Sequence, residues 1–129
     1  MKKLSFILLF AIITSGVAFS QSKPKMEFKN TEHNFGTIKE EIGAVTTQFE
    51  FTNTGETPLI IQRVTTSCGC TTPSYTREPV LPGKRGVVSA KYSTLARPGN
   101  FTKTITVYTN VPDTTYVLTI KGTVTPKAK

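Results

Sequence analysis

Val45-Thr46-Thr47-Gln48-Phe49-Glu50-Phe51-Thr52 places Val45, Thr47, Phe49 and Phe51 on one face of the chain, with Gln48 and Glu50 on the other. Successive side chains of an extended strand point to opposite faces, so this period of two predicts a half-buried β-strand. Asn53-Thr54-Gly55 punctuates it, and Pro58 opens a run from Leu59 to Thr66 that is apolar early and threonine-rich late. Val80-Leu81 leads into the turn dipeptide Pro82-Gly83, after which Val88, Ala90 and Tyr92 alternate with Ser89 and Lys91. Pro98-Gly99-Asn100 turns the chain again. Phe101, Ile105 and Val107 then share a face that Lys103 interrupts, and Asn110-Val111-Pro112-Asp113 makes a last turn. The final strand is expected from Thr115 to Val124, with Tyr116, Leu118 and Ile120 inward, and shorter candidates run from Met26 to Lys29 and from Phe35 to Ile38.

No sustained helical period follows Gln21, and the many threonines favour strands through their stiff χ1. Seven to eight short strands with frequent turn signals predict an all-β immunoglobulin-like β-sandwich over residues 26–125. Residues 21–25 are expected to form a short linker and 126–129 a tail. An antibody-type domain would show a Cys…Trp…Cys core, but there is no tryptophan, and Cys68 and Cys70 stand two residues apart. Apolar packing must therefore carry the fold, through Phe49, Phe51, Ile61, Val88, Tyr92, Ile105, Val107, Leu118 and Ile120.

Working back to the start, Lys2 and Lys3 precede an apolar run from Leu4 to Ile13, broken by Ser5, and then the small residues Ser15, Gly16, Ala18 and Ser20. A positive n-region, a short apolar h-region and small residues before a cut have the anatomy of a secretory signal peptide, with cleavage expected after Ser20. The run is about half the ~20 residues a transmembrane helix needs. A lipoprotein would need a cysteine directly after the cut, where Gln21 stands. The mature chain is thus expected to be exported, periplasmic or extracellular, without a transmembrane segment or lipid anchor. Of the 129 residues and formal charge of +8, removal of 20 residues that include Lys2 and Lys3 leaves 109 residues at +6. That length holds one sandwich and no second domain. The remaining positive charges are dispersed, with only Lys84-Arg85 adjacent. A solvated basic surface, with weak attraction for anionic envelope polymers and no nucleic-acid partner, is the expectation.

Several segments together resemble one bacterial family, the domain of unknown function 1573. They are His33-Asn34-Phe35-Gly36-Thr37-Ile38, Phe49-Glu50-Phe51-Thr52-Asn53-Thr54-Gly55, Pro58-Leu59-Ile60-Ile61, Ser67-Cys68-Gly69-Cys70-Thr71, Leu81-Pro82-Gly83 and Leu118-Thr119-Ile120-Lys121-Gly122. The resemblance covers roughly residues 26 to 125, and its most specific element is Cys-Gly-Cys-Thr. It implies an exported sandwich of the major-sperm-protein and hydin type. It carries no catalytic residues across.

Cys68 and Cys70 are the candidate chemical pair. In an extended strand their Cα atoms would lie roughly 6.6–6.8 Å apart, at the upper limit for a disulfide, so a bond requires the chain to bend at Gly69. A labile bond at a surface loop and two reduced side chains packed at the sandwich end are the two alternatives. A two-thiolate site for a soft ion such as Cu(I) is a further option, whereas structural zinc wants four ligands. His33, the sole histidine, is expected to hydrogen-bond a strand edge or turn, the competing role being a Cys–His pair. Asn100-Phe101-Thr102 is an N-glycosylation triplet expected to act as a turn, and Thr114 of Asp113-Thr114-Thr115 is a candidate O-glycan acceptor. No G-x-S-x-G, H-E-x-x-H or glycine-rich phosphate loop is present. A non-enzymatic binding or scaffolding module without cofactors, its partner a protein or envelope polymer, is the expected function. A thiol-dependent redox or metal-carrying role at Cys68 and Cys70 is the alternative.

Overall fold

The computed structural model describes residues 22–127; the expected signal peptide, its cut before Gln21 and the last two tail residues lie outside them. Eight strands follow in order: β1 (Met26–Phe28), β2 (Glu32–Lys39), β3 (Ala44–Asn53), β4 (Ile61–Thr66), β5 (Thr71–Tyr75), β6 (Arg85–Ser93), β7 (Gly99–Thr109) and β8 (Thr115–Thr125). A 3-10 turn, Glu40–Ile42, joins β2 to β3. The strands form two four-stranded sheets, β1-β3-β6-β5 and β2-β8-β7-β4. The chain switches sheets between β1 and β2, so β2 runs parallel to β8 while β1 pairs antiparallel with β3.

Alternation drives the packing. Phe49 opposes Val88 in one sheet and Ile105 opposes Leu118 in the other, and all four are buried. The sheets meet through Tyr92 of β6, which stacks on Phe101 of β7 at 3.9 Å between ring centroids. All nine core residues expected from the sequence are buried, and Met26, Ile38, Leu59, Cys70, Val80, Ala90, Phe101 and Val124 join them. Burying such side chains contributes on the order of 1.5–3 kcal/mol each. Lys103 occupies an inward position of β7 yet stays half-buried, as a long stem with a charged head can.

Two of the family-like segments meet in the β2–β8 pair. His33 opposes Ile120 and Asn34 opposes Lys121, and the register then shifts between Asn34 and Thr37. Gly36 takes φ +71° in this bulge, and a Cβ on Gly122 would stand 3.0 Å from the Gly36 carbonyl and from the Phe101 ring. Close approach of the two backbones thus favours glycine at 122, where a side chain would have to push its neighbours back by a few tenths of an ångström.

Strand β5 was not expected, because Pro73 lies within it. Ser93 N–H donates to the Cys70 carbonyl (2.9 Å) and Thr76 N–H to that of Val87 (3.0 Å). Antiparallel pairs alternate, so Thr72 and Ser74 face β6 while Pro73 faces the open edge. There its missing N–H costs nothing and denies a donor to any added strand.

Candidate functional site

Strand β4 ends at Thr66, and beyond it Ser67 N–H donates to the Thr104 carbonyl while Ser67 Oγ accepts from Thr104 N–H, each at 3.0 Å. The chain then crosses to the other sheet through Cys68-Gly69-Cys70. Thr66 Oγ1 donates to the Cys68 carbonyl at 2.8 Å, and Thr71 N–H reaches the same carbonyl at 3.2 Å. The turn brings the Cys68 and Cys70 Cα atoms to 5.1 Å, and the two sulfurs are joined as a disulfide. Cys70 is 4% exposed and belongs to the core, while Cys68 is half-buried against it. Of the two alternatives, the sulfurs are bonded as in the first, and Cys70 packs into the sandwich end as in the second. Cys70 borders an open hollow of about 300 Å³ with Gly43, Ala44, Thr72, Lys91 and Ser93.

His33 does not join this pair. It lies on β2, at the opposite edge of its sheet from β4, with β8 and β7 between them. Its ring packs edge-on against Phe35 at 4.6 Å. Among the described residues no group of three or more His, Cys, Asp or Glu side chains is placed to hold a metal ion. Asn100 sits in β7 rather than in a turn, where its Oδ1 accepts from Thr123 Oγ1 at 2.6 Å. Thr114 is exposed at the tip of the β7–β8 hairpin, its Oγ1 donating to the Pro112 carbonyl at 2.9 Å. Asp113 before it has φ +51°, a conformation that Asp tolerates better than most residues. Thr114 borders an open groove of about 450 Å³ with Lys23, Lys25, Val111 and Pro112, and this groove is at the other end of the sandwich from the cysteines. Burial pushes the Tyr92 phenol above its ordinary value, against the opposing pull of Arg97.

Two polar hubs were missed. Asn53 is wholly buried; its Nδ2 donates to the carbonyls of Thr57 (2.8 Å) and Val80 (2.9 Å), and its Oδ1 accepts from Gly55 N–H (2.9 Å) and Lys25 N–H (3.3 Å). The signal was present, because 53 continues the inward parity of 45, 47, 49 and 51. Glu40 is the second. Its carboxylate accepts from Ala96 N–H (2.8 Å) and Lys127 N–H (3.0 Å), and its carbonyl accepts from Thr94 Oγ1 (2.9 Å). Nothing in the local sequence marks that role.

Two facing four-stranded sheets, with the chain switching from one to the other between β1 and β2, define an immunoglobulin-like sandwich. The chain belongs to the family described as "Protein of unknown function (DUF1573)", which matches residues 26–124. No curated protein sequence matches it. Among solved structures it is similar to a protein of unknown function from Porphyromonas gingivalis (TM-score 0.67, 18% identity, 79% of this chain and 47% of that one). It is also similar to a family 123 glycoside hydrolase from Clostridium perfringens (0.59, 10%, 80% and 27%). The VesB protease of Vibrio cholerae is a third (0.57, 14%, 80% and 32%). The chain spans less than half the length of each, and at these identities the likeness is one of fold.

Proposed function

We propose that this chain is an exported, non-enzymatic binding or scaffolding module of the cell envelope. The observation that carries the reading is the fixing of end loops by side-chain hydrogen bonds. Asn53 ties the N-terminal segment, the β3–β4 turn and the segment around Val80 at one end, and Glu40 ties the β2–β3 and β6–β7 loops at the other. Loops at the ends of a sandwich are its usual binding surfaces, and loops ordered in advance lose less entropy on binding. Export is supported by the composition of residues 1–20. The thiol-dependent alternative has the burial of Cys70 against it, since exchange or metal capture needs a reachable sulfur. Exposure of Thr114 on a hairpin tip supports its role as a glycan acceptor, and intact-mass measurement of protein from the native host tests that.

The experiment for the main reading is capture of envelope proteins and polymers by the chain starting at Gln21, beside N-terminal sequencing of the native protein. A specific, saturable partner from the envelope supports the proposal. A native protein still beginning at Met1 and confined to the cytoplasm defeats it.

A further inference from the structure

Thiol–disulfide exchange attacks one sulfur of a bond, and access decides which one. The Cys68-Gly69-Cys70 turn hides one sulfur and leaves the other at the margin of the core. Cys70 is buried, whereas Cys68 is half-buried. Burial of Cys70 closes that atom to an incoming thiolate. Attack on Cys68 stays open.

The turn is also held by hydrogen bonds that do not involve the sulfur link. The Cys68 carbonyl accepts from Thr66 Oγ1 and from Thr71 N–H, and the Cys70 carbonyl accepts from Ser93 N–H. These bonds keep the turn in shape when the link opens, with the Cα atoms near the 5.1 Å of the bonded pair. That separation lies within the range from which disulfides form. Two thiols held so close re-form their bond in an intramolecular step, at high effective concentration. The same turn aims Cys70 N–H at Cys68 Sγ, 3.0 Å away. A donor in that place stabilises the negative charge that Cys68 sulfur carries as it leaves or attacks. The Cys70 sulfur has Thr71 Oγ1 at the longer distance of 3.9 Å.

We propose that Cys68 and Cys70 form a reversible dithiol–disulfide couple that exchanges with a peptide or protein dithiol, Cys68 carrying the mixed disulfide and Cys70 resolving it. A partner thiolate attacks Cys68 Sγ and the Cys68–Cys70 bond breaks. Its electron pair passes to Cys70 Sγ, which takes a proton from solvent in the open hollow that Cys70 borders. The partner's second thiolate then attacks the partner's first sulfur, and the electron pair leaves on Cys68 Sγ beside the Cys70 N–H. Protonation of Cys68 completes the balance: the partner loses two electrons and two protons, and the chain gains them. In reverse, the Cys68 thiolate opens a partner disulfide and Cys70 attacks the mixed disulfide at Cys68. The exchange is stoichiometric and stands beside the binding role, so either can fail without the other.

The hydrogen-bonded sandwich and its core lie wholly within residues 22–127, so the chain from Gln21 is the material to test. The oxidised chain is mixed with an equimolar reduced peptide carrying two cysteines, quenched in acid at intervals and read by mass spectrometry. Dithiol chain and peptide disulfide should appear well below the thermal transition, and excess oxidised peptide should reverse the change. With oxidised glutathione as probe, Cys68 in Cys70→Ser should form a mixed disulfide at least about tenfold faster than Cys70 does in Cys68→Ser. Should either variant fail to fold, acid-quenched adducts of the native chain with excess one-cysteine peptide, located by fragment masses, read the same preference. A bond that opens only as the thermal transition is crossed overturns the proposal. Equal rates in the two variants, or an adduct on Cys70, overturn it as well.

Discussion

Asn53-Thr54-Gly55 and Cys68-Gly69-Cys70 are both sharp three-residue corners that end a strand, and they are closed by opposite means. The first is closed at long range. One buried amide joins residues 25, 55, 57 and 80, and the Asn53 backbone adds bonds to Lys84 and Gly83. The second is closed over two residues by a covalent link, with Cys70 packed into the core. A bond over so short a loop removes little freedom from the unfolded chain, whereas the amide ties its own turn to two distant segments at once. The corner with the more conspicuous chemistry is thus the less important one for stability.

Asn53→Ala is the largest break available. It takes the Asn53 partner from the Thr57 and Val80 carbonyls and from the Lys25 and Gly55 N–H groups, the Val80 carbonyl keeping its bond from Leu59 N–H. At about 1 kcal/mol per lost bond, with part recovered by hydration near the strand ends, the loss should be about 3 kcal/mol. For a domain of this size that lowers Tm by more than about 12 °C. Calorimetry of the chain from Gln21 checks it, and a drop of only a few degrees would show the amide to be incidental.

Gly55→Ala sharpens the same corner. The segment Lys23–Lys25 lies across Gly55, with Thr54 N–H donating to the Lys25 carbonyl and Glu56 N–H to that of Lys23, each at 2.9 Å. A Cβ on residue 55 would collide with the backbone of Lys23, Pro24 and Lys25, none of which can rotate away as a side chain could. The expected cost is about 2 kcal/mol, within the range for overpacking. Hydrogen exchange should show faster exchange at the Thr54 and Glu56 amides, with the β7–β8 ladder still protected. Unchanged protection at both amides would mean that the segment absorbs the methyl without lifting.

Much of the fold was legible because parity is local. Phe49, Phe51, Val88, Leu118 and Ile120 each announce their face through neighbours two residues away, and each is buried. Elements whose cause is distant were not. Pro73 argues against a strand until the ladder shows which way it faces, and residues 23–25 look like a linker until Gly55 is placed beneath them. The same division runs through the candidate site. Asn53 could have been found, since a polar residue at an inward position must be satisfied. Glu40 acts on Ala96 and Lys127 from more than fifty residues away, and no spacing encodes that. Cys68 and Cys70 were singled out by residue type and spacing, which made a bend at Gly69 the condition for a bond and left a surface loop and a packed sandwich end as alternatives.

The smallest effect belongs to the cysteines, and it tests the comparison from the other side. A three-residue loop gives roughly 1.6 kcal/mol by the chain-entropy estimate, before any adverse native-state term. Cys68→Ser with Cys70→Ser should therefore leave a single cooperative thermal transition, lowered by less than Asn53→Ala lowers it. The hydroxyl placed at position 70 can use Thr71 Oγ1, which stands 3.9 Å from the native sulfur, only by shifting. Some of the measured loss will therefore come from packing rather than from the link. Reduction of the native chain separates the two, because it breaks the bond and keeps both sulfurs. In a graded series of redox buffers, alkylation read by mass spectrometry should label Cys68 first, as the half-buried partner, and Cys70 only as the β5 edge opens. Equal labelling rates would show that Cys70 is not held in the core. Resistance of both thiols until global unfolding, whatever the buffer, would show that the bond is not labile and that the two corners are closed with comparable firmness.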